Sequence, residues 1–236
     1  MLAGFIGAAE KWAEFSDAWS YYLKQPPSIR YLKMNEAAKL DGQFRHWNAE
    51  ERDKKLSGLV EIIKKFPPDK GLYFMNDLIA WDQLADNPVK TLADPHFLGF
   101  YAVISAVCNE VLDSGSSEQV EIIFDQHLIF GPRVALWYPV VKEMFQSSAN
   151  PDLRDISPIM PPAPMFLDDH QFVPLQAADV LAWLLRNSFK DRLPGLESVW
   201  RPSYSGFEWL AAEFMRAIAP SKYSTIWGDK RIARNE

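Results

Sequence analysis

The sequence has a single cysteine, and its apolar runs are all short. Cys108 has no partner for a disulfide within the chain, and its place in an apolar helical stretch predicts a small core residue in a reducing compartment. No apolar run approaches the roughly 18 residues of a membrane helix. No basic residue precedes the short apolar run at the start, "MLAGFIG", so we predict no signal peptide and expect a cytoplasmic protein.

The sequence also lacks the motifs of several common enzyme classes. It contains no Walker-type glycine loop, no dinucleotide-binding fingerprint and no paired cysteines that would hold zinc. Positive charge is not in excess either, because 25 Lys and Arg against 31 Asp and Glu give a formal net charge of -6. Such a chain has no bulk field that attracts nucleic acid, so binding of that kind requires a local basic groove or metal ions.

What the sequence does contain is an alternation of candidate strands and helices. Hydrophobic residues make up 48% and charged residues 24%, which is ordinary for a globular protein. The candidate strands are Leu2 to Gly7 and the segments "IRYLKMNE", "GLYFMNDLIAW", "EQVEIIFDQH" and "MFLDD". The alternation predicts an α/β fold in one domain over residues 1–236, with a C-terminal helix and tail from about residue 205.

Apolar periodicity and capping residues mark the helices. Asn48 with Glu51 resembles a capping box, and Asp94 followed by Pro95 is typical of a helix start. A further helix is predicted from Pro174 to Asn187, where aliphatic residues fill most of the helical wheel.

Two acidic residues, Asp125 and Asp179, occupy positions where a carboxylate can either take part in binding or catalysis or simply face solvent. Asp125 ends a candidate strand, and ligands of open α/β sheets gather at the carboxyl ends of strands, although an aspartate there also commonly begins a turn. Asp179 lies on a narrow polar stripe of an otherwise apolar helix, and this stripe either faces solvent or lines a cleft. Asp168 and Asp169 end another candidate strand.

Carboxylates gathered at one edge of a sheet would repel each other unless a divalent cation neutralised them. Oxygen ligands favour Mg²⁺ or Mn²⁺. Two such ions about 4 Å apart can activate a water and stabilise the leaving oxygen in phosphodiester hydrolysis. Of the four histidines, His127 and His170 closely follow candidate carboxylates, so both are candidates for lining such a site.

Several segments resemble the large bacterial family called domain of unknown function 3800: "LAGFIG", "YLKMNEA", "VEIIFDQ" and, above all, "MFLDDHQFVPLQAADVLAW". The resemblance covers roughly residues 2–187, and the pattern Leu-Gln-x-Ala-Asp at Leu175 to Asp179 is its most specific part. It implies a ribonuclease H-like mixed sheet flanked by helices, and a Mg²⁺- or Mn²⁺-dependent nuclease that acts on a nucleic acid.

The resemblance also implies roles for particular residues of this chain. Three aspartates are expected to be catalytic and to bind metal, namely the strand-end Asp125, the helical Asp179 and, less directly matched, Asp169. The resemblance places Gln176 beside Asp179, and Lys33 and Glu36 in a segment where such proteins carry a polar residue. We expect four residues to contact substrate: Gln176, Lys33, Glu36 and His127.

One feature of the family pattern is missing. Members begin with a strand ending in Asp-Glu-Ser-Gly, whose Asp is the first metal ligand, whereas "LDSGSS" at residues 112–117 follows a helix and is not its counterpart. Either the chain starts at an internal methionine, or it is a degenerate member that has lost this carboxylate. Both explanations predict weak two-metal activity, and both leave a strand edge that favours pairing with another chain, as in a homodimer.

Three functions therefore remain open from the sequence. The first is a divalent-metal-dependent nuclease or phosphodiester hydrolase, impaired by the missing first aspartate. The second is a catalytically inactive binding or assembly module, indicated by that missing ligand, the acidic charge and the many aromatic residues. A phosphatase or other hydrolase that uses the same carboxylates is not distinguished from the first by sequence.

Overall fold

The computed structural model describes residues 2–74, 94–190 and 224–225. In chain order these residues form β1 (Leu2–Ile6), α1 (Ala9–Leu23), α2 (Met34–Lys39), a short 3-10 helix (Gly42–Phe44), α3 (Ala49–Lys65), β2 (Lys70–Phe74), α4 (Pro95–Asp113), β3 (Ile123–Asp125), α5 (Phe130–Gln146), α6 (Pro151–Arg154), α7 (Ile156–Ile159), β4 (Met165–Leu167), α8 (Pro174–Lys190) and β5 (Ser224–Thr225). The mixture of helices and strands agrees with the predicted α/β class. Among the helices that the structure describes, none combines the length and the apolar character of a membrane span.

The strands form two small sheets. In one, the order is β1-β2-β5, and in the other β3 and β4 form a parallel pair. The chain divides into two compact units, of which the first includes Leu72–Asp168 and the second includes Ala3–Gly71 and Asp169–Ser224. Compact units occur within one folding domain as well as in separate domains, so the single domain over residues 1–236 stays a prediction.

Two of the sequence predictions fall on parts of the chain that the structure does not describe. The segment "GLYFMNDLIAW" begins within β2, and its residues 75–81 lie outside the described range. The C-terminal helix and tail predicted from about residue 205 also lie outside it, apart from β5.

The core of the first unit is built mainly from α4 and α5. As predicted, Asp94 caps α4 by accepting a hydrogen bond from the backbone N–H of His96, and Pro95 follows in the first turn. The buried side chains of this core are Phe97, Phe100, Ile104, Cys108, Ile122, Val134, Trp137, Tyr138, Val141, Phe145, Ile156, Ile159 and Met160. Burial raises the pKa of the Cys108 thiol to about 12, so this cysteine is an unreactive core residue, as the sequence predicts.

The second unit packs α1 against α3 and α8, and α2 against α8. Phe15 and Trp19 on α1 are fully buried. The predicted capping box starts α3, because the Asn48 side chain accepts from Glu51 N and the Glu51 carboxylate accepts from Asn48 N, both at 2.9 Å. The inward face of α3 is apolar, with four buried side chains: Leu56, Leu59, Val60 and Ile63.

The strand predicted over residues 29–36 is wrong. The first part of this segment forms no strand, and helix α2 begins at Met34. Lys33 does have extended backbone angles, with φ -125° and ψ 117°. The N–H groups on either side of it bond to side chains of α8, however, so they are not used in a strand ladder.

The strand predicted over residues 118–127 is much shorter than expected. Only β3 is a strand. Ile122 O still accepts from Met165 N of β4, but Val120 N donates to Ile159 O at the end of α7 and so leaves the strand pairing. The strand predicted at "MFLDD" likewise ends at Leu167, so Asp168 and Asp169 follow β4 rather than belonging to it.

Candidate metal centre

Two carboxylates of the first unit lie at one edge of the parallel strand pair. Asp125 is the last residue of β3 and is opposite Leu167, the last residue of β4. The hydrogen bond from Gln126 N to Leu167 O, 3.0 Å long, continues the pairing past the strand end. Parallel strands end at the same edge of a sheet. Asp125, which ends β3, and Asp168, which directly follows β4, are therefore brought to that edge together.

Three consecutive residues after β4 form the candidate metal centre. Each of Asp168, Asp169 and His170 offers one ligand atom, and the three atoms lie within 4.8 Å of one another. Asp169 is only 3% exposed, whereas Asp168 is half-buried and His170 is exposed. Two carboxylate oxygens and an imidazole nitrogen at this spacing could hold a metal ion.

His170 is held in place by two neighbours in the second unit. Its ring stacks on Tyr31, with 3.7 Å between ring centroids and an interplanar angle of 15°. Its Nε2 atom lies 3.6 Å from Asp169 Oδ1. The stack limits rotation of the imidazole, so the ring presents a nitrogen toward the carboxylate of Asp169.

Lys33, predicted to contact substrate, forms an ion pair with the candidate centre. Its ammonium group contacts Asp169 Oδ2, and the lysine side chain is 32% exposed against 4% for the aspartate. A nearly buried carboxylate is costly unless a cation accompanies it. Lys33 supplies such a cation.

Glu36, the second polar residue predicted near substrate, is engaged within the second unit. Its carboxylate accepts hydrogen bonds from Gln43 N at 3.2 Å and from the Tyr31 hydroxyl at 3.3 Å. Burial raises the pKa of Tyr31, and the nearby charge of Glu36 raises it further. Glu36 thus anchors the aromatic ring on which His170 stacks, and its contact with a substrate stays a prediction.

Gln176 and Asp179 on α8 bind the backbone on both sides of Lys33. Gln176 Oε1 accepts from Leu32 N at 2.9 Å, and Asp179 Oδ2 accepts from Met34 N at 3.0 Å. N–H groups two residues apart in an extended segment point to the same side, and side chains three residues apart on a helix share a face. Gln176 and Asp179, the two polar residues of the sequence motif, therefore hold residues 32–34 against α8. We call this pair of side chains the α8 clamp.

Gln176 is fully buried and uses both ends of its amide. Its Oε1 atom also accepts from Trp19 Nε1 at 2.9 Å, and its Nε2 atom donates to Asp169 O at 2.8 Å. The residue thus joins α1, the Lys33 segment and the backbone of the candidate centre. The predicted contact of Gln176 with a substrate is left as a prediction.

His127, predicted near substrate, lies in the first unit close to Asp125. Its Nδ1 atom accepts from Ile129 N at 3.3 Å and from Phe130 N at 3.1 Å, so it caps the start of α5. This capping role has a physical rationale of its own, because the first N–H groups of a helix need acceptors.

The predicted ligands are thus distributed between the two units. Asp125 belongs to the first unit, whereas Asp169 and Asp179 belong to the second, on either side of the Lys33 segment. A single ion shared by all three stays a prediction. Asp168 and His170 were not among the predicted ligands, although their position beside Asp169 in a run of three potential ligands was a usable signal.

Comparisons of the chain with protein-family models, with curated proteins and with solved structures found no match. The resemblance to domain of unknown function 3800 therefore stands on the residues of this chain alone.

Proposed function

We propose that this chain is a divalent-metal-dependent phosphodiester hydrolase, a nuclease of ribonuclease H-like fold. The observation that carries the proposal is the group of potential ligands after β4, Asp168 to His170, next to a parallel strand whose last residue is also an aspartate. Carboxyl ends of parallel strands are where α/β proteins place their ligands. When bound, a divalent cation would activate a water and stabilise the leaving oxygen of a phosphodiester.

The ligand set fits one cation of moderate size. Bonds of about 2.1 Å place opposite ligand atoms about 4.2 Å apart, so a spread of 4.8 Å requires only a small adjustment of the side chains. Mg²⁺ prefers oxygen ligands alone, whereas Mn²⁺, a transition-metal ion that suits carboxylates, also accepts a nitrogen ligand beside them. The nitrogen of His170 therefore favours Mn²⁺ over Mg²⁺.

Basic side chains near the candidate centre offset the acidic character of the chain. Lys33 is one third exposed beside Asp169, and Arg30 is exposed with its guanidinium 5.9 Å from the centroid of the Tyr31 ring. Basic side chains in such positions supply the local positive charge that binding of a phosphate backbone requires. We propose that both residues bind backbone phosphates of the substrate.

The metal centre is tested by Mn²⁺ titration calorimetry. Asp168→Asn and His170→Ala each remove one ligand, and we expect each to weaken Mn²⁺ binding at least tenfold, within the range seen when metal-site residues are lost. Two variants serve as matched controls and should bind like the wild type: Asp113→Asn at the exposed end of α4 and His46→Ala at an exposed position. Wild-type protein that gives no Mn²⁺ binding heat contradicts the proposal.

Cleavage of labelled RNA and DNA in Mn²⁺ tests the activity and its residues. We expect cleavage by the wild type and its loss in Asp168→Asn. Asp125→Asn and Asp179→Asn test whether the two other predicted aspartates take part in the reaction. Undiminished activity in both removes them from the catalytic set.

A second candidate function, an assembly module, is favoured by the outer face of α5. Three apolar side chains at successive four-residue intervals are exposed on this helix: Leu136 at 73%, Val140 at 41% and Met144 at 39%. Contiguous exposed apolar surface commonly marks an interaction site. We propose that this apolar stripe pairs with the same stripe of a second copy, as in a homodimer with self-complementary symmetry.

Light scattering after size exclusion tests the homodimer. We expect a dimeric wild type and a monomeric double variant, Leu136→Gln with Val140→Gln, because polar side chains remove the apolar contact. Ala135→Gln is the matched control, since Ala135 is exposed on the same helix but lies off the stripe. A wild type that is monomeric at high concentration excludes the homodimer.

A further inference from the structure

We propose that Lys33 is a built-in counter-cation that competes with the divalent metal for Asp169, and that the α8 clamp holds it in that position. This inference rests on the proposed metal centre. It gives Lys33 a role in the metal-free protein, in addition to contact with a substrate. It also explains why the most specific sequence motif binds backbone atoms.

The contacts around Lys33 form a closed ring. Gln176 Oε1 holds the N–H of Leu32, the residue before Lys33, and Gln176 Nε2 holds the carbonyl of Asp169. The Lys33 ammonium closes the ring on the carboxylate of that same Asp169. The buried side-chain amide of Gln176 thus fixes the distance between Leu32 N, next to Lys33, and Asp169 O.

Asp179 supports the same segment from its other side. It accepts from Met34 N at 3.0 Å, so the peptide groups before and after Lys33 are both fixed by α8. These two hydrogen bonds fix the backbone position from which the Lys33 side chain reaches Asp169. The clamp therefore favours a persistent contact between Lys33 and Asp169.

A cation that already contacts Asp169 weakens the binding of a second cation there through like-charge repulsion. Asp169 is nearly buried, so its charge requires a counter-charge in every state of the site. Without a bound divalent ion, the Lys33 ammonium meets this requirement. When a divalent ion binds, the ion meets it instead, and the ammonium must leave the carboxylate oxygen or share it under like-charge repulsion. Metal affinity is consequently set in part by Lys33.

Mn²⁺ titration of Lys33 variants tests the inference. Lys33→Met keeps a long apolar stem and removes the charge, and we expect it to bind Mn²⁺ at least tenfold more tightly than the wild type. Lys33→Arg keeps the charge and should bind within about threefold of the wild type. Lys39→Met, at an exposed position of α2, is the matched control for loss of one positive charge and should change the affinity less than twofold.

Thermal unfolding with and without MnCl₂ provides a second measurement. Lys33→Met leaves Asp169 without this counter-charge, so its melting temperature should fall without Mn²⁺ and rise more on Mn²⁺ addition than that of the wild type. A variant that folds only with Mn²⁺ supports the inference, and one that stays unfolded with Mn²⁺ overturns it. Equal Mn²⁺ affinities of wild type and Lys33→Met also overturn it, whereas absence of Mn²⁺ binding by both defeats the proposed metal centre itself.

Discussion

Gln176→Leu is expected to lower the free energy of unfolding by about 4 kcal/mol. The substitution removes a fully buried amide that bonds to Trp19 Nε1, Leu32 N and Asp169 O. Leucine has nearly the same volume but no polar atoms, so all three partners lose their hydrogen bond in the interior. Each buried polar group left without a partner costs about 1–3 kcal/mol, and better apolar packing offsets part of the total. Urea unfolding followed by far-UV circular dichroism measures the difference.

The control for this substitution is Gln171→Leu, because Gln171 is exposed in the loop before α8. It should change the free energy of unfolding by less than about 0.5 kcal/mol. A double-mutant cycle with Trp19→Phe isolates the bond from the indole, and we expect a coupling of about 1 kcal/mol. A Gln176→Leu protein as stable as the Gln171→Leu protein would show that the amide network contributes little.

The long helices α3, α4 and α8 could be predicted because their signals are local. The capping pair at the start of α3 lies within four residues, and the Asp-Pro start of α4 within two. The apolar periodicity of α1, α4 and α8 is likewise contained in each segment. Signals of this kind act before any tertiary contact forms, so the sequence reports them directly.

The segment over residues 29–36 could not be predicted because its partners are remote. Its composition is that of extended backbone, and Lys33 is indeed extended. The acceptors for Leu32 N and Met34 N, however, come from residues 144 and 145 positions further along the chain. Nothing in a local window distinguishes an extended segment that pairs with a strand from one held by a helix face.

The candidate site was predictable only in part for the same reason. Asp169 was expected as a ligand, but its neighbours Asp168 and His170 were not, since the convergence of their ligand atoms depends on the turn after β4. Gln176 was predicted as a substrate contact and Asp179 as a metal ligand, and both roles stay predictions; their three-residue spacing places them on one face of α8. That face meets the backbone around Lys33, which only the tertiary structure reveals.

The buried lysine of α3 carries the second large expected effect. Lys55 is 2% exposed, and its ammonium donates to three carbonyls at the end of α1, those of Tyr22, Leu23 and Gln25, at 2.6 to 3.1 Å. A cation there also meets the negative end of the α1 dipole. Lys55→Met removes all three bonds, each worth about 1.5 kcal/mol or more, but also removes the burial cost of the charge. We expect a net loss of about 2 kcal/mol at pH 7, against almost none in Lys54→Met at the exposed neighbouring position.

The same lysine should make stability depend on pH in a defined direction. Burial lowers the pKa of Lys55 from 10.5 to about 8 in the folded protein. Between these values the unfolded chain binds a proton that the folded chain has released, so stability rises with pH, and below pH 8 the slope from this group vanishes. Each pH unit in this window is worth about 1.4 kcal/mol. Between pH 7 and 9.5, the free energy of unfolding of the wild type, measured with urea, should therefore rise by about 1–2 kcal/mol relative to that of Lys55→Met. The other titratable groups are the same in both proteins, so their contributions cancel in this difference. A difference that stays constant across this range would place the pKa of Lys55 near its ordinary value.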